Sequence, residues 1–582
     1  METRQTNLGA IDVRTYLKAI HPSLALVLLL TLGCLNASAI RVPAQTRQAA
    51  PDYSPLIADL KIKIPQLMAL RHTPGLAIAF VDGDKLIWAE GFGFTDDSKK
   101  SKVTADTIFS LQSISKTYTA SAFLIAASKG KLKLDEPVRK YWPGFSMKSR
   151  FGSDEASKIT FRHLLSHWAG IPVEAPLGNN FDDCACTFED HIKSLADSWL
   201  IAPVGDRYSY SNPGVDLAGY VLALRERKPF AQFMKEILFD PLGMKASTFD
   251  QQEALKSASF AQGHMAEREL PDTYIPNIPS GGMYSNVTDM ARFLSFQLAG
   301  ARVAGKRLIS AKLVKEMATI QFPAPGQVAG YGLGLAIQPW YGATFLSHAG
   351  SGYGYSTQQY WMPEYQIGVV VLTNAQSGSL SSDIADRVML KMIEAKKGSV
   401  PPNQFLAFAD KPAVTLEPNL LRRFEGTYKS RFNLVTFEFA EGNLFYVSGN
   451  TRTKLNGQSP TEFTTQNRRF VFRVNAEGKP TGVMILNPFQ TEFLPFNDSP
   501  NDPPGANKSE WQTYSGDYQA LLYGNPVATK VYLKNGYLYV DWQGGLKLTE
   551  YQTGLFFTTE GESVGFEGNR LLLGNRRFEK KR

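Results

Sequence analysis

The hydrophobic pattern in the first two thirds of the chain predicts a sheet flanked by helices. Residues 75–81 form an apolar run, the turn-forming residues 82–84 follow, and 86–88 are apolar again, which predicts two strands joined by a tight turn. Residues 119–128 are apolar and rich in alanine, which is typical of a buried helix, and 367–372 predict a late strand. Because strands at both ends enclose helical segments, we expect an α+β domain whose sheet is completed by its two ends.

The last third of the chain has a different pattern, with short alternating stretches broken by glycine and asparagine. Residues 424–428 are matched by 514–518, an offset of 90 positions, and 442–446 resemble 536–540. This weak repeat predicts two small antiparallel β modules. Neither module contains a histidine or a recognisable catalytic set. We therefore expect a chain that ends near residue 398 to keep its catalytic chemistry.

The length of the chain and a change in its composition near residue 396 indicate the domain organisation. A chain of 582 residues is too long for a single hydrophobic core. The sequence Lys-Lys-Gly-Ser-Val-Pro-Pro over 396–402 predicts a linker. The predicted segments are a signal peptide over 1–39, an α+β domain over 53–395, a linker over 396–418, and β modules over 419–500 and 508–582.

The N-terminus has the pattern of an export signal. Basic residues precede an apolar run over 24–35, and the small residues at 37–39 offer a cleavage site. The run contains about a dozen apolar residues, fewer than a spanning helix needs. We expect a periplasmic or secreted protein. An uncleaved anchor is the alternative, because the stretch before the run is long and carries Glu2 and Asp12, and only then is membrane contact expected.

Charge and cysteine content exclude some classes of partner. The formal net charge is +8 with no long run of Lys or Arg, so nucleic acid is not an expected partner. Cys184 and Cys186 have no accompanying His or Cys cluster, so they do not complete a zinc site. In an oxidising compartment they could form a local disulfide, which the one-residue gap would strain, or remain two free thiols. We expect neither a metal nor a cofactor.

The first candidate catalytic element is Ser113-Ile114-Ser115-Lys116. Residues three apart on a helix share a face, so Lys116 can reach the Ser113 hydroxyl. The apolar stretch that follows would disfavour a charged ammonium and allow the lysine to accept a proton. A helix N-terminus beneath Ser113 would also favour negative charge developing there. A surface Ser and Lys would give the same string by chance.

The second candidate element is Tyr210-Ser211-Asn212. A tyrosine that shares a proton with Lys116 can act as general base, and the Asn212 amide can bind the substrate or orient the lysine. The pattern recurs at Tyr284 and, with glycine in the middle, at Tyr523. We choose Tyr210, because turn residues and an apolar helix follow it. Around Tyr284 the sequence predicts a turn that caps a helix.

The third candidate element is His348-Ala349-Gly350, followed by Ser351. A histidine beside a glycine on a strand lets a substrate lie along the strand edge, where the glycine permits close backbone approach. The alternative is a histidine half-buried in the sheet. If His348 contacts substrate, its ordinary pKa near 6.5 predicts that the charge of the site changes between about pH 5.5 and 7.5.

Together the three elements resemble a known motif set. In this order they are similar to the S-x-x-K, Y-x-N and K-T-G motifs of serine β-lactamases and penicillin-binding proteins, in the branch of class C β-lactamases, D-alanyl-D-alanine carboxypeptidases and D-aminopeptidases. The strings at 107–109, 159–167 and 241–244 agree, and the resemblance covers about 53–395. It implies the β-lactamase/transpeptidase-like sandwich of an antiparallel sheet with helices on both sides. The histidines within 159–167 are interpreted as structural.

The resemblance also implies a role for each residue. Ser113 would be the acylated nucleophile, Lys116 and Tyr210 the proton-handling pair, and Asn212 a substrate contact. The backbone N–H groups of Ser113 and Ser351 would form an oxyanion hole. His348, Gly350 and Ser351 would line the substrate on the strand edge.

One departure from the family pattern bears on the substrate. His348 stands where antibiotic-hydrolysing relatives have lysine, so we expect weaker binding of a β-lactam carboxylate. The implied function is an exported serine hydrolase acting through an acyl-enzyme on a D-amino-acid peptide or amide, such as a peptidoglycan fragment, or on a small ester. The alternatives are a true class C-type β-lactamase and a non-catalytic sensor that binds peptidoglycan or β-lactams.

Overall fold

The structure of this protein is a computed structural model. It describes residues 50–581 apart from 182–184, 266, 272–273, 275, 277, 403–412, 431–432, 449–450, 488–490, 523–524 and 543. The predicted signal peptide over 1–39 lies outside the described residues. Residues Tyr53–Arg582 form one compact unit. Within the described ranges no helix combines the length and the apolar character that crossing a bilayer requires.

The helices of the described residues all lie before the C-terminal modules, apart from two short ones. The α-helices are α1 Ser54–Leu70, α2 Ser115–Ser128, α3 Val138–Tyr141, α4 Phe161–Ser166, α5 Phe188–Lys193, α6 Asn212–Glu226, α7 Phe230–Met234, α8 Asp240–Leu242, α9 Gln251–Ala254, α10 Ile278–Gly281, α11 Val287–Leu298, α12 Ala311–Met317, α13 Leu380–Lys397 and α14 Pro418–Arg422. Short 3₁₀ turns occupy Gln112–Ile114, Glu155–Lys158, Ser194–Asp197 and Ser509–Tyr514, and Lys235–Phe239 is a π turn.

The strands before residue 400 include one large sheet and three small ladders. They are β1 Gly75–Asp82, β2 Lys85–Gly93, β3 Phe109–Ser110, β4 His264–Met265, β5 Arg268–Glu269, β6 Tyr284–Ser285, β7 Arg302–Val303, β8 Lys306–Arg307, β9 Gly330–Tyr331, β10 Ala336–Trp340, β11 Ala343–Gly352, β12 Tyr355–Met362 and β13 Ile367–Thr373. The large sheet is antiparallel in the order β2-β1-β13-β12-β11-β10-β9. The predicted strands at 75–81, 86–88 and 367–372 are therefore confirmed, and the two ends of the domain meet where β1 pairs β13.

Helices cover both faces of this sheet, which explains why its central strands are apolar at every position. Along β1, Ala77 and Ala79 pack into the core on one face, with α2 and α11, while Ile78 and Phe80 pack into the other, with α1 and α13. Successive side chains of a strand point to opposite faces, so a strand buried on both has no polar alternation. The expected α+β sandwich is confirmed.

Helix α2, which carries the first motif, is buried on all sides. Every residue from Ser115 to Ala126 is buried, including the polar ones. The helix begins four residues before the predicted stretch at 119–128. Its hydroxyl groups are satisfied inside the core: Thr117 donates to the Gly334 carbonyl at 2.7 Å, and Thr119 donates to the Pro279 carbonyl at 2.7 Å. A helix held this firmly gives Ser113 a fixed base.

The C-terminal region contains two β structures. A nine-stranded antiparallel sheet has the order β17-β16-β15-β14-β22-β21-β20-β19-β18, with strands β14 Gly426–Lys429, β15 Leu434–Ala440, β16 Asn443–Ser448, β17 Thr451–Lys454, β18 Asn456–Ser459, β19 Glu462–Thr464, β20 Arg469–Val474, β21 Pro480–Leu486 and β22 Thr491–Asp498. Its two edge strands are separated in the chain only by Leu455, so the sheet curves back on itself. Each structure has its own core of aromatic and aliphatic side chains.

The second β structure is a closed barrel of consecutive antiparallel strands. The strands are β23 Gly516–Leu522, β24 Asn525–Lys534, β25 Tyr537–Val540, β26 Leu546–Gln552, β27 Leu555–Thr558, β28 Ser563–Glu567, β29 Arg570–Leu573 and β30 Arg576–Lys580. The boundaries proposed for the linker and the two modules stay predictions. Helix α13 extends to Lys397, past the proposed start of the linker at 396, and 403–412 lie outside the described residues.

The barrel packs closely against the main domain. A Cβ atom added at Gly561 would lie 1.9 Å from the carbonyl oxygen of Ile201, so only glycine fits there. The Asn575 amide donates to the Glu174 carbonyl at 2.7 Å and to Ser198 Oγ at 2.9 Å. These contacts join the barrel to the same region that supplies the second motif.

Candidate active site

Ser113 lies in a strained turn at the entrance to α2. The preceding residue, Gln112, has a φ of 52°, the left-handed region that a non-glycine residue rarely adopts. Its side-chain amide donates to Ser110 Oγ at 2.7 Å, which helps to hold the turn. Ser113 is partly exposed while the residues after it are buried. Strain of this kind is concentrated at functional sites, and here it presents one hydroxyl at the surface of the core.

Strand β11 lies directly against this turn, and Gly350 makes the approach possible. A Cβ at Gly350 would lie 2.1 Å from the carbonyl oxygen of Leu111 and 2.3 Å from Thr357 Oγ1. Thr357 in turn donates to the Leu111 carbonyl at 2.9 Å. The predicted close approach at Gly350 is therefore confirmed, and its partner is the backbone just before Ser113.

Lys116 reaches the Ser113 hydroxyl, as the helical spacing predicted. Its Nζ donates to Ser113 Oγ at 3.1 Å, to Asn212 Oδ1 at 2.9 Å and to the Ser280 carbonyl at 2.8 Å. The lysine is fully buried. Among the described residues no carboxylate oxygen lies within 4.0 Å of Nζ, so its partners are neutral oxygens rather than a counter-ion.

Tyr210 is the copy of the second motif that reaches the serine. Its hydroxyl lies 2.9 Å from Ser113 Oγ, and Lys116 Nζ lies 4.8 Å from the centre of its ring. The ring packs against His167 at 4.4 Å, and His167 Nδ1 accepts a hydrogen bond from the Ser211 N–H at 3.1 Å. His167 therefore supports the tyrosine rather than reacting itself. Burial and the charge of Lys116 hold the pKa of His167 well below its ordinary value.

The second copy of the motif, at Tyr284 and Asn286, has a structural role. Tyr284 is buried in β6, where it pairs with Ser110, and Asn286 caps α11 by accepting from the Asp289 N–H at 2.8 Å. The predicted capping turn is confirmed. Tyr523 lies outside the described residues.

Asn212 is committed to other protein groups. It is 8% exposed, its Oδ1 accepts from Lys116, and its Nδ2 lies 3.5 Å from the Glu174 carboxylate. This geometry matches the expectation that the amide orients the lysine. Its role as a substrate contact stays a prediction.

His348 is neutral throughout the physiological range. Its Nδ1 lies 2.7 Å from the carbonyl oxygen of Ala349 and its Nε2 lies 2.8 Å from the Tyr331 hydroxyl, so Nδ1 carries the hydrogen and Nε2 accepts. Burial, followed by the nearby charge of Lys116, lowers the pKa of His348 to about 3. The expectation that this site changes charge between pH 5.5 and 7.5 is therefore wrong.

Beyond His348, the edge of β11 is open to a substrate. Strand β10 pairs with β11 only as far as Ser347. The turn between β11 and β12 consists of Tyr353 and Gly354, both with positive φ, which is the geometry of a two-residue hairpin. Hydrogen-bonding direction alternates along such a strand, so the N–H of Ser351 points away from β12 toward the open edge. This N–H is directed as the predicted oxyanion donor requires.

A buried charged network behind Lys116 was not predicted from the sequence. Asp216 on α6 accepts from the Ser280 N–H at 2.8 Å and from Ser280 Oγ at 3.0 Å, which fixes the carbonyl that holds Lys116. His191 Nε2 lies 3.3 Å from Asp216 Oδ2, and its Nδ1 lies 2.7 Å from the Leu177 carbonyl. Burial opposes charge on His191, but the hydrogen bond to Asp216, the charge of Asp216, the Leu177 carbonyl and the charge of Glu174 together outweigh it and raise the pKa of His191.

Two further groups bear on cofactor and redox chemistry. His264, Asp97 and Glu269 form a cluster that could hold a metal ion, with Nε2 of His264 3.1 Å from Asp97 Oδ1 and Nδ1 3.0 Å from the Asn374 carbonyl. His264 and Glu269 belong to the β4–β5 hairpin and Asp97 follows β2, so none of the three is in a serine motif. Cys186 is disulfide-bonded, and Cys184 lies outside the described residues.

Comparison with known proteins places this site in a family. Residues 61–391 match the family model described as Beta-lactamase. Beta-lactamase-like protein 2 of Dictyostelium discoideum is 28% identical over 397 residues, which cover 63% of this chain and 68% of that protein. Penicillin-binding protein 4 of Amycolatopsis lactamdurans is 27% identical over 373 residues, which cover 62% and 93%. Protein flp of Staphylococcus aureus (strain MW2) is 28% identical over 232 residues, and this chain spans less than half (46%) of its length.

Two solved structures share the fold over most of the chain. The octameric penicillin-binding protein homologue from Pyrococcus abyssi superposes with a TM-score of 0.52 at 23% identity, covering 84% of this chain and 99% of that one. SurE, solved with D-Leu, superposes with a TM-score of 0.54 at 18% identity, covering 75% and 99%. Since the family match extends over more than half of the sequence, this chain belongs to the beta-lactamase family, whose members are serine hydrolases.

Proposed function

We propose that this chain is an exported serine hydrolase that forms an acyl-enzyme on Ser113 and acts on a D-amino-acid peptide or amide, or on a small ester. The observation that carries the proposal is the pair of hydrogen bonds on Ser113 Oγ, one from Lys116 at 3.1 Å and one from Tyr210 at 2.9 Å. Two groups able to take a proton at one exposed hydroxyl are what a serine nucleophile requires.

Each step of acyl transfer then has a group to perform it. Ser113 Oγ attacks the substrate carbonyl, and its proton moves to the Tyr210–Lys116 pair. The N–H groups of Ser113 and Ser351 stabilise the oxyanion, and the same pair returns the proton to the leaving group. Water then attacks the acyl-enzyme and releases Ser113. Gly350 keeps the strand edge close enough for both N–H groups to face one oxygen.

The state of His348 favours this substrate class over β-lactams. Where a lysine would present a permanent cation, His348 presents a neutral ring whose two nitrogens are occupied by Ala349 and Tyr331. A β-lactam carboxylate gains no ion pair from it, whereas a neutral ester or amide loses nothing. SurE, similar in fold, was solved with D-Leu, which makes D-amino-acid derivatives the first compounds to test.

Covalent labelling tests the nucleophile, and intact-mass measurement after exposure to a substrate panel tests the class. We expect wild-type protein to gain the mass of a fluorophosphonate probe and Ser113→Ala to gain none. The panel would contain β-lactams, D-amino-acid amides and p-nitrophenyl esters. Ser115→Ala is the matched control, because Ser115 is buried and donates to the Gln112 carbonyl instead. Undiminished labelling of Ser113→Ala would reject the assignment.

A further inference from the structure

A large cavity adjoins the candidate active site and is bounded by all three parts of the chain. Its volume is about 690 Å³. The main domain supplies aromatic and aliphatic side chains such as Trp168, Tyr208 and Ile337, the nine-stranded sheet supplies Phe493, and the barrel supplies Glu560. A cavity of this size holds a small ligand, and pockets at domain junctions are frequent binding sites.

The cavity is connected to the reacting groups through two tyrosines. Tyr210 and Tyr331 both line it. The hydroxyl of the first contacts Ser113 at 2.9 Å, and the hydroxyl of the second contacts His348 at 2.8 Å. A molecule that fills the cavity therefore lies beside the catalytic serine. The expectation that a chain ending near residue 398 keeps its catalytic chemistry stays a prediction, but both C-terminal modules form part of the wall of this cavity.

One cation in this wall, Arg207, is held by backbone carbonyls. The guanidinium of Arg207 donates to two backbone carbonyls, those of Ile201 at 3.2 Å and Glu560 at 2.6 Å. In the part of the chain that the structure describes, no carboxylate oxygen lies within 4.0 Å of its nitrogens. Burial lowers the pKa of this guanidinium, yet arginine remains protonated at any physiological pH. Asp206 and Glu560 act on this charge only from beyond contact distance, so a cation without a contacting carboxylate among the described residues favours an anionic ligand.

The acidic groups of the wall are already engaged. Glu562 receives two hydrogen bonds from Arg576, at 2.6 and 3.1 Å, so its charge is neutralised. Glu492 accepts hydrogen bonds from Ser430 and from the Asn433 amide. These contacts orient the carboxylates within the protein, whereas Arg207 retains donor capacity toward the cavity.

We propose that this cavity binds the part of the substrate that flanks the scissile carbonyl, and that it selects an apolar or aromatic group bearing a carboxylate, which Arg207 holds. The proposal rests on the proposed function for the identity of the reacting serine. It also gives the C-terminal modules a role, since Phe493 forms part of the apolar surface against which such a group packs.

Binding without turnover tests this directly. In Ser113→Ala protein at pH 7.5, titration calorimetry measures the Kd of N-acetyl-D-phenylalanine and of its carboxamide, which have nearly the same size but differ in charge and in one hydrogen-bonding group. We expect the carboxylate to bind at least about tenfold more tightly, the lower end for a hydrogen bond to a charged group. Adding Arg207→Gln should abolish the preference, and Arg207→Lys should retain part of it.

Arg473 offers a matched control. Its guanidinium also stacks on Phe493, at 4.6 Å, but it is paired with Asp206 at 3.1 Å and does not line the cavity. Arg473→Gln should keep the carboxylate preference. Equal affinity for the two ligands in the Ser113→Ala parent, absence of binding by either, or a preference that survives Arg207→Gln would each overturn the proposal.

The same experiment separates this proposal from the proposed function. Fluorophosphonate labelling of Ser113 does not require Arg207. Labelling without a carboxylate preference would reject the cavity assignment alone. A carboxylate preference without labelling would reject the acyl-enzyme alone. If Arg207 serves only to join the Ile201 and Glu560 backbones, Arg207→Gln will lower the melting temperature and weaken both ligands equally, which also rejects the assignment.

Discussion

The tripeptide Tyr-Ser-Asn occurs twice in the main domain, and its two copies have different environments. At Tyr210 the ring borders a cavity and its hydroxyl contacts Ser113, whereas Tyr284 is buried in a two-stranded ladder. Each copy precedes a helix, but one helix begins at the asparagine of its tripeptide and the other begins one residue after it. Ser211 caps α6, which begins at Asn212, while Asn286 itself caps α11. The cap decides which side chain is available: Asn212 can hold Lys116 because a serine already caps its helix.

The helices that follow the two copies each carry a buried aspartate, and these also differ. Asp216 fixes Ser280 and pairs with the buried His191. Asp289 accepts from Ser247 and from Arg292, whose side chain is about half exposed, and burial raises the pKa of Asp289. One aspartate supports the reacting lysine, and the other closes a turn.

The largest difference in activity should be between substitutions of the two tyrosines. Tyr210→Phe should lower kcat/KM for a reactive ester by about 100- to 10,000-fold, the usual contribution of a general acid–base group. Tyr284→Phe should change it little, because its ring is in the core. Steady-state kinetics on both variants measures this. A larger loss at Tyr284 would show that the active copy has been misassigned.

The next largest difference should be between substitutions of the two aspartates, in the free energy of unfolding and in kcat. Asp216→Asn removes one partner of a buried pair, and such changes cost about 3–5 kcal/mol of unfolding free energy. It should also lower kcat, because the Ser280 carbonyl that holds Lys116 loses its support. Asp289→Asn should cost less and leave kcat unchanged. Urea titration and kcat measurements on both variants test the contrast.

A third variant keeps this test informative if Asp216→Asn is poorly folded. His191→Gln removes the partner charge while leaving Asp216 in place. Because the pKa of His191 is raised in the folded state, its stabilising effect is fully present below about pH 6.5 and is lost as the pH rises through the folded value. The wild-type advantage over His191→Gln should therefore shrink at alkaline pH. If the stability difference between wild type and His191→Gln grew with pH instead, His191 and Asp216 would not form a charged pair.

Substitutions of the two asparagines should have smaller effects, one on stability and the other on kcat. Asn286→Ala removes a helix cap, which typically costs about 1 kcal/mol of stability. It should leave kcat/KM unchanged. Asn212→Ala should instead lower kcat, because Lys116 loses the acceptor at 2.9 Å. Thermal unfolding and steady-state kinetics on both variants measure these effects. If Asn286→Ala lost activity and Asn212→Ala did not, the two roles would have been assigned the wrong way round.

The last effect concerns pH and His348. Its pKa is near 3 in the folded protein and about 6.5 when unfolded, so the unfolded state binds more protons between these values. Stability should fall as pH drops below 6.5, by at most about 1.4 kcal/mol per pH unit, and His348→Gln should remove that slope. Between pH 6.5 and 7.5 the kcat/KM profiles of the two proteins should have the same shape. A wild-type inflection near pH 6.5 that the variant lacks would show a solvent-accessible imidazole.

Much of this site could be predicted because its contacts follow local spacing. Ser113 and Lys116 are three residues apart, in a 3₁₀ turn and in the first turn of the helix that follows it, and the apolar run at 75–81 predicts a strand. The role of Gly350 followed from the need for close approach. These are properties that neighbouring residues determine together.

Other features of the site depend on contacts that a single sequence does not encode locally. The Ser280 carbonyl is a backbone atom, so its role carries no residue signature. The pKa of His348 follows from its burial and from Lys116, which is more than 200 residues earlier. Arg207 carries no signal of its own in the sequence, because its contacts depend on how the main domain and the barrel pack together. The repeat at 424 and 514 indicated β modules but not that they border the cavity.

The contact between Thr357 and the Leu111 carbonyl spans 246 positions of the chain. A ribosome releases the chain from the N-terminus at a rate of about 5–20 residues per second. For more than about ten seconds after Ser113 emerges, the strand that we propose as part of its oxyanion hole has not yet been released. β13, which closes the sheet against β1, emerges later still. The nascent chain therefore carries a serine without reactivity, and hydrolytic activity begins only when the domain is nearly complete.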